Sequence, residues 1–235
     1  MANHGSKRIA LVTGGSNGIG SAICSRLSKN NYTVINADIL TPEQEFPEVI
    51  YRKCDVREGN EIDSLFEWFS ENVGLPSVVI LNAGQGIHER LTEGDPGKWE
   101  NIIRLNLLAP LRCIRAFVPP MQEQKSGHVI FISSVSAMQP YQYGGVYSAS
   151  KAALEMIAET LRLETAPDIK VTVIAAGITD TKFFEYQISG SDSIESIGMG
   201  AISANDVADD VLYALSKTGS AAINKIITRP AGQSF

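Results

Sequence analysis

Seven short apolar runs recur along this chain, and the intervals between them carry helical periodicity. That alternation limits the possible folds more than any other feature. The runs fall at 8–13 ("RIALVT"), 32–37 ("YTVINA"), 49–54, 77–82 ("SVVILN"), 128–133 ("HVIFIS"), 169–175 ("IKVTVIA") and 222–228. Helix-period segments lie at 18–29, 59–72, 97–118, 146–165 and 205–217. Near-continuous Val, Ile and Leu in the runs suit strands buried on both faces, hence a parallel sheet between two layers of helices. The pattern predicts one α/β domain over 1–235, built on a doubly wound sheet of about seven strands. No repeat, linker or shift in composition marks a second unit, and 235 residues suit a single α/β domain. The stretch 177–204, rich in Ser, Gly and Ile, is the one long irregular piece; a loop of that length in a compact fold is expected to serve as a substrate lid.

Composition narrows the function classes. Hydrophobic residues at 44% and charged residues at 20% describe an ordinary globular protein, and the net charge of −6 argues against binding nucleic acid or an anionic membrane. Cys24, Cys54 and Cys113 are odd in number and form no CxxC pair, which suits a reduced compartment. His4, His88 and His128 lack metal-ligand spacing, so no metal is expected. The opening "MANHGSKR" has no apolar core for a leader, and no run is long enough to span a bilayer. These features predict a cytoplasmic protein.

Open parallel sheets bind ligands at the carboxyl ends of their strands. The stretch "TGGSNGIG" follows the first run there and opens a helix whose apolar residues recur at Ile19, Ile23 and Leu27. A strand, a glycine turn and a helix N-terminus cradle a phosphate through exposed N–H groups and the helix dipole. Gly14, Ser16, Asn17, Gly18, Ile19 and Gly20 are the residues expected to meet it. Asp38 ends the second run 24 residues past Gly14, placed to accept hydrogen bonds from an adenosine ribose. A 2′-phosphate would face that carboxylate, at roughly 4 kcal/mol per unit of like charge at about 4 Å in a dielectric near 20. Ser16, Asn17, Ile39 and Leu40 offer no compensating cation, so NAD is expected over NADP. Asp55 and Val56, after the third run, fall where the adenine edge would lie, and Asn82-Ala83-Gly84 brings a second small-residue turn near the dinucleotide.

The chemical half is carried by "YSASK". Tyr147 and Lys151 lie four residues apart, on one face of a helix. A phenol titrates at about 10; an ammonium at about 4 Å favours the phenolate by roughly 4 kcal/mol, nearly 3 pKa units. Ser134 ends the fifth run 13 residues before Tyr147, where its hydroxyl could hold a carbonyl or alcohol oxygen; Ser133, Ser136 and Ser148 are rivals. Asn106 sits among apolar residues with Pro110 four residues on. Pro110 has no N–H for the Asn106 carbonyl, which predicts a bend there.

"TGGSNGIG", Asp38, "NAG", Asn106, Ser134 and "YSASK" occur in the order and spacing of the short-chain dehydrogenase/reductase family, and the chain resembles it over nearly its whole length. The resemblance implies a single Rossmann-type domain and a homo-oligomer, dimer or tetramer, pairing through the helices at 97–118 and 146–165 with help from Leu161 and Leu163. It implies Tyr147 as general acid/base, Ser134 as its oxygen-orienting partner, and both as substrate contacts. Lys151 would hold the nicotinamide ribose and lower the Tyr147 pKa, and Asn106 would hold a water linking Lys151 to solvent. The Thr179 backbone would meet the carboxamide, with Thr181 beside it. Ala176-Gly177 replaces the Pro-Gly common after the sixth strand, and the short lid carries Phe183, Phe184 and Tyr186. Met138, Gln139, Tyr141, Tyr143, Gln85, Ile87 and His88 are expected around a small alcohol or ketone. The expected function is NAD-dependent interconversion of a secondary alcohol and a ketone. The alternatives are an NADPH-dependent 3-oxoacyl or carbonyl reductase and a non-catalytic dinucleotide-binding protein.

Overall fold

The computed structural model describes residues 7–190 and 193–234. His4 and most of the opening read for a leader lie outside them. Seven parallel strands form one sheet: β1 (Arg8–Thr13), β2 (Tyr32–Asp38), β3 (Val49–Lys53), β4 (Val78–Leu81), β5 (Gly127–Ser134), β6 (Ile169–Ala176) and, last in the chain, β9 (Lys225–Thr228). Their order is β3-β2-β1-β4-β5-β6-β9, the doubly wound order in which the chain reverses direction between β1 and β4. Two-residue strands β7 (Thr179–Asp180) and β8 (Ile202–Ser203) pair separately.

Alternate residues of each strand feed the two cores. On β5, Val129 and Phe131 face one side and Ile130 and Ile132 the other; on β1, Leu11 opposes Ala10 and Val12. One side packs on α2 (Gly59–Asn72), α4 (Ala109–Glu123) and α5 (Gly145–Thr165), where Phe69 and Phe117 meet edge to face at 5.3 Å. The other packs on α1 (Gly18–Ser28) and α7 (Ala204–Leu215) through Ile23, Leu27, Val207 and Val211. This is the Rossmann-type sheet the runs predicted. The final strand begins at Lys225 rather than 222, because its register with β6 starts at Val173↔Lys225.

The segment 97–118 is not one bent helix. It divides into α3 (Pro96–Ile103), a π turn at Arg104–Leu108 and α4. Ala109 N–H reaches five residues back to the Arg104 carbonyl, so the chain widens just before Pro110 instead of kinking at it. α4 continues through Pro119 and Pro120 to Glu123. Phe117, Val118 and Met121, all buried in the core, offset the missing backbone bonds. The stretch 177–204 contains β7, a one-turn helix α6 (Ile194–Ile197) and β8.

Candidate active site

The carboxyl ends of β1, β2, β4, β5 and β6 open into one cavity of about 690 Å3. Its floor begins at the glycine turn. Gly14 has φ +67°, and a Cβ on Gly20 would lie 2.0 Å from the Gly14 carbonyl oxygen, so only bare backbone lets the turn close. Asn82 braces it from β4, donating through Nδ2 to the carbonyls of Thr13 and Gly14 at 3.0 and 2.8 Å. Thr13 Oγ1 in turn accepts the N–H groups of Asn82 and Ala83 at 3.0 and 3.1 Å.

Asp38 sits at the end of β2, almost fully buried. Its two oxygens accept the N–H groups of Ser16, at 2.9 Å, and Leu40, at 3.0 Å. Ser16, expected at the phosphate, is bonded to the end of β2. Its N–H is held by Asp38, its hydroxyl donates to the Leu40 carbonyl at 2.6 Å, and it does not line the cavity. It fastens the glycine turn to the end of β2. Asp55 lines the far wall, paired with Arg57 at 2.6 Å, and that guanidinium lowers its pKa.

At the other end, Ser134 closes β5 and Tyr147 projects from the first turn of α5. Ser134 and Tyr147 share the cavity wall, and the Ser134 hydroxyl donates to Ser136 Oγ at 3.1 Å. Of the rival serines, Ser136 lines the cavity as the partner of Ser134, Ser133 lines it with its hydroxyl given to Glu155 at 2.9 Å, and the buried Ser148 hydroxyl has no partner among the described residues. Lys151 lies one turn beyond Tyr147, but its Nζ donates to the Ile132 carbonyl at 2.9 Å and stands 5.9 Å from the Tyr147 ring centre. The expected depression of the phenol pKa is therefore not present in this state: burial pushes Tyr147 up to about 12, against a smaller lowering by Ser134. Burial also pushes Lys151 down to about 8, opposed by Glu155.

Asn106, within the π turn, is buried behind the cavity rather than in its wall. Its Oδ1 accepts Gln85 N–H at 3.0 Å, and its Nδ2 donates to the Gln85 carbonyl at 3.0 Å and to Ser150 Oγ at 3.1 Å. Ser150 donates onward to the Tyr147 carbonyl at 2.7 Å. One carboxamide thus ties the Asn82-Ala83-Gly84 turn to the helix bearing Tyr147. Of the residues expected to hold the cofactor or carry the chemistry, Ser16 and Asn106 do not line the cavity; Thr179 and Thr181 do.

A family model for short chain dehydrogenase matches residues 8–191. The chain belongs to the short-chain dehydrogenase family. An uncharacterized oxidoreductase of Staphylococcus epidermidis is 30% identical over 233 residues, covering 95% of this chain and 97% of its own. The closed form of a serine dehydrogenase complexed with NADP+ superposes with a TM-score of 0.89 at 25% identity, over 97% of this chain and 96% of that one. An alcohol dehydrogenase from Thermococcus sibiricus complexed with 5-hydroxy-NADP superposes at 0.83 with 24% identity, over 96% and 97% of the two chains, a likeness of fold. This short-chain dehydrogenase is thus an oxidoreductase of a dinucleotide-binding family, and its own residues fit such a group. Gly14, Gly18 and Gly20 line the cavity as bare backbone, and a Cβ at Gly20 would break the turn against the Gly14 carbonyl while one at Gly18, φ +51°, would press on Thr181.

Two residues of the short-chain dehydrogenase site, Gln233 and Glu89, and the backbone of a third, Tyr143, carried no signal in sequence. Gln233, near the end of the described chain, folds back so that its Oε1 accepts Ile178 N–H at 3.1 Å, bracing the loop after β6. Tyr143 has φ +67°, a left-handed conformation costly for a bulky residue. Glu89, whose side chain is 13% exposed, accepts hydrogen bonds from Ser189 Oγ at 2.5 Å, Trp99 Nε1 at 3.0 Å, Lys98 Nζ at 3.1 Å and Asp95 N–H at 3.2 Å. Those donors, Ser189 foremost, hold its carboxyl down to about 2. Met138 and Gln139, expected around the substrate, lie outside the lining because they leave the short turn Val135–Ala137 toward solvent. No group of three or more His, Cys, Asp or Glu suited to a metal occurs among the described residues, and no helix there is long and apolar enough to cross a membrane.

Proposed function

We propose that this protein interconverts a secondary alcohol and a ketone with a nicotinamide dinucleotide, and that Tyr147 moves the proton. The observation that carries the reading is that Ser134, Tyr147 and Lys151 line the inner wall of the same cavity that the glycine turn lines. A bound nicotinamide supplies or accepts the hydride. Gly14, Asn17, Gly18, Ile19 and Gly20 would hold its pyrophosphate through bare backbone and a helix N-terminus. Asp38 would hold the adenosine ribose, Asp55 and Val56 the adenine, and Asn82, Ala83, Gly84, Thr179 and Thr181 the nicotinamide half.

Ser134 donates to the substrate oxygen and fixes it beside Tyr147. In ketone reduction the Tyr147 hydroxyl gives its proton to that oxygen as the C–O bond takes up charge; in alcohol oxidation the proton returns. With the phenol held near 12 by burial, Tyr147 carries its proton at neutral pH and is ready for the reductive direction. Lys151 would bind the nicotinamide ribose, and Asn106 positions Tyr147 through Ser150. NAD is the favoured dinucleotide, supported by the buried Asp38 carboxylate and by the uncharged residues at 16, 17, 39 and 40. NADP is the second reading, favoured by the NADP+ bound in the serine dehydrogenase of like fold. The segment 177–204 would act as the substrate lid, and the chain would assemble with copies of itself. Absorbance at 340 nm, followed with NADH and with NADPH over a panel of ketones, tests the reading; no oxidation of either with any ketone overturns it.

A further inference from the structure

The substrate half of the cavity is walled by aromatic rings. Phe183 of the 177–204 segment stands 5.8 Å from the Tyr147 ring, and Tyr141, Tyr143 and His88 form the facing wall. Among the described lining residues, Asp38, Asp55 and Arg57 belong to the dinucleotide end; beyond Lys151, only His88 can carry charge. His88 Nε2 lies 2.8 Å from the Gln142 carbonyl, which takes its hydrogen. The charged groups nearest this wall are engaged behind it. Arg90 lies over the Tyr143 ring at 5.4 Å and pairs with Glu93 at 3.6 Å, while Lys98 is held by Glu89. Neither lines the cavity. Apart from His88, whose Nε2 hydrogen is already given to Gln142, no cation on this wall would meet a carboxylate brought out of water against these rings.

The backbone makes the same wall deliberate. Tyr143 keeps its ring there at φ +67°, a conformation that glycine adopts without strain. It is held by Glu89 N–H, which donates to the Tyr143 carbonyl at 2.9 Å, and by Gln142 Nε2, which donates to its hydroxyl at 3.0 Å.

We propose that the substrate is an uncharged ketone or alcohol bearing an aromatic or other flat ring, and that this wall rejects oxo acids and amino acids. The inference rests on the oxidoreductase reading but is tested apart from it. Methyl benzoylformate and benzoylformate differ in little but the charge. Calorimetric titration of each into the protein saturated with NAD, then with NADP, should find the ester bound at least about 100-fold more tightly. Equal or tighter binding of the acid, or binding of neither, overturns the proposal. Turnover is followed separately: an ester that binds and is never reduced counts against the oxidoreductase reading alone, whereas preferred reduction of the acid counts against this inference alone. Tyr143→Gly supplies a second arm, since it relieves the strained backbone while removing the ring. It should fold at least as readily as the parent by thermal melting, yet raise KM for the ester about tenfold. An unchanged KM overturns the role given to Tyr143.

Discussion

Tyr147→Phe removes one oxygen atom from the cavity and leaves its shape intact. Turnover should fall by about 10²–10⁴-fold, the usual contribution of a positioned acid–base group, while the dissociation constant for the dinucleotide stays within a few-fold of the parent. Stopped-flow rates beside fluorescence titration check both halves. Asp38 is more entangled. Its carboxylate would face a ribose and also holds the N–H groups of Ser16 and Leu40. Asp38→Ser with Ile39→Arg should therefore do two things. It should narrow or reverse the preference between NADH and NADPH, since a guanidinium fork suits a phosphate where a carboxylate repels it. It should also lower stability by about 1–3 kcal/mol, because two backbone donors lose a charged partner. Dissociation constants for both dinucleotides and a urea titration test the two effects, and a parent that binds NADPH as well as NADH would remove Asp38 from the role proposed.

The π turn and the segment at 85–89 do work that no single residue does. Gly86 and His88 pair through backbone with Ile188 and Ser189 at 2.9 and 3.0 Å, and Glu89 fastens Ser189 from the side. Glu89→Gln preserves the outline but surrenders the charge that Lys98 meets. It should lower stability by about 1–3 kcal/mol, speed hydrogen exchange at 186–189, and raise KM for ketones without changing dinucleotide affinity. Loss of dinucleotide affinity in equal measure would contradict the division of labour described above. The strands and the Tyr147–Lys151 pair were legible because each depends on neighbours in sequence: an unbroken apolar run for burial on both faces, a spacing of four for one helical face. Glu89 was not, since its partners lie up to 100 residues away and a lone Glu after a strand has no local signature. The same holds for Ser16, whose serine-in-a-glycine-turn context suggested a phosphate contact while Asp38 and Leu40 had already taken its donors. The π turn was half legible. Pro110 announced a disturbance, but its form depended on how Asn106 was held by Gln85 and Ser150.

For the molecule as a whole, acid should be harsher than its surface charge suggests. His128, at the foot of β5, is buried with Nε2 2.8 Å from Thr172 Oγ1, and Thr172 gives its own hydrogen to the Ile223 carbonyl. Burial, helped by Lys170, pushes its pKa from 6.5 down to about 4. The fold thus favours the neutral ring, and between those two values the unfolded chain binds the extra proton. Stability present above pH 6.5 should fall by about 3 kcal/mol as pH drops toward 4. Urea titrations of the parent and of His128→Gln at pH 7 and 4.5 should show the parent losing more; equal losses would exclude the imidazole as the cause. Assembly belongs to this scale too. On α5 Leu163, expected at the interface, is 65% exposed and Met156 68%, whereas Leu161, expected beside Leu163, is in the core. Light scattering should find a species at least twice the 25.4 kDa of one chain, and a monomer at micromolar concentration would contradict it. The two ends of the cavity, finally, are secured by separate sets of bonds: Thr13 and Asn82 for the glycine turn, and for the aromatic wall the Glu89 N–H on the Tyr143 carbonyl with Gln142 Nε2 on its hydroxyl. Such independence makes the wall interchangeable. Residues 85–95, 141–143 and 183–190 carry the wall together, so a breeder of enzymes, or natural drift, would replace all three to redirect selectivity, with the Glu89 carboxylate and Ser189 travelling together.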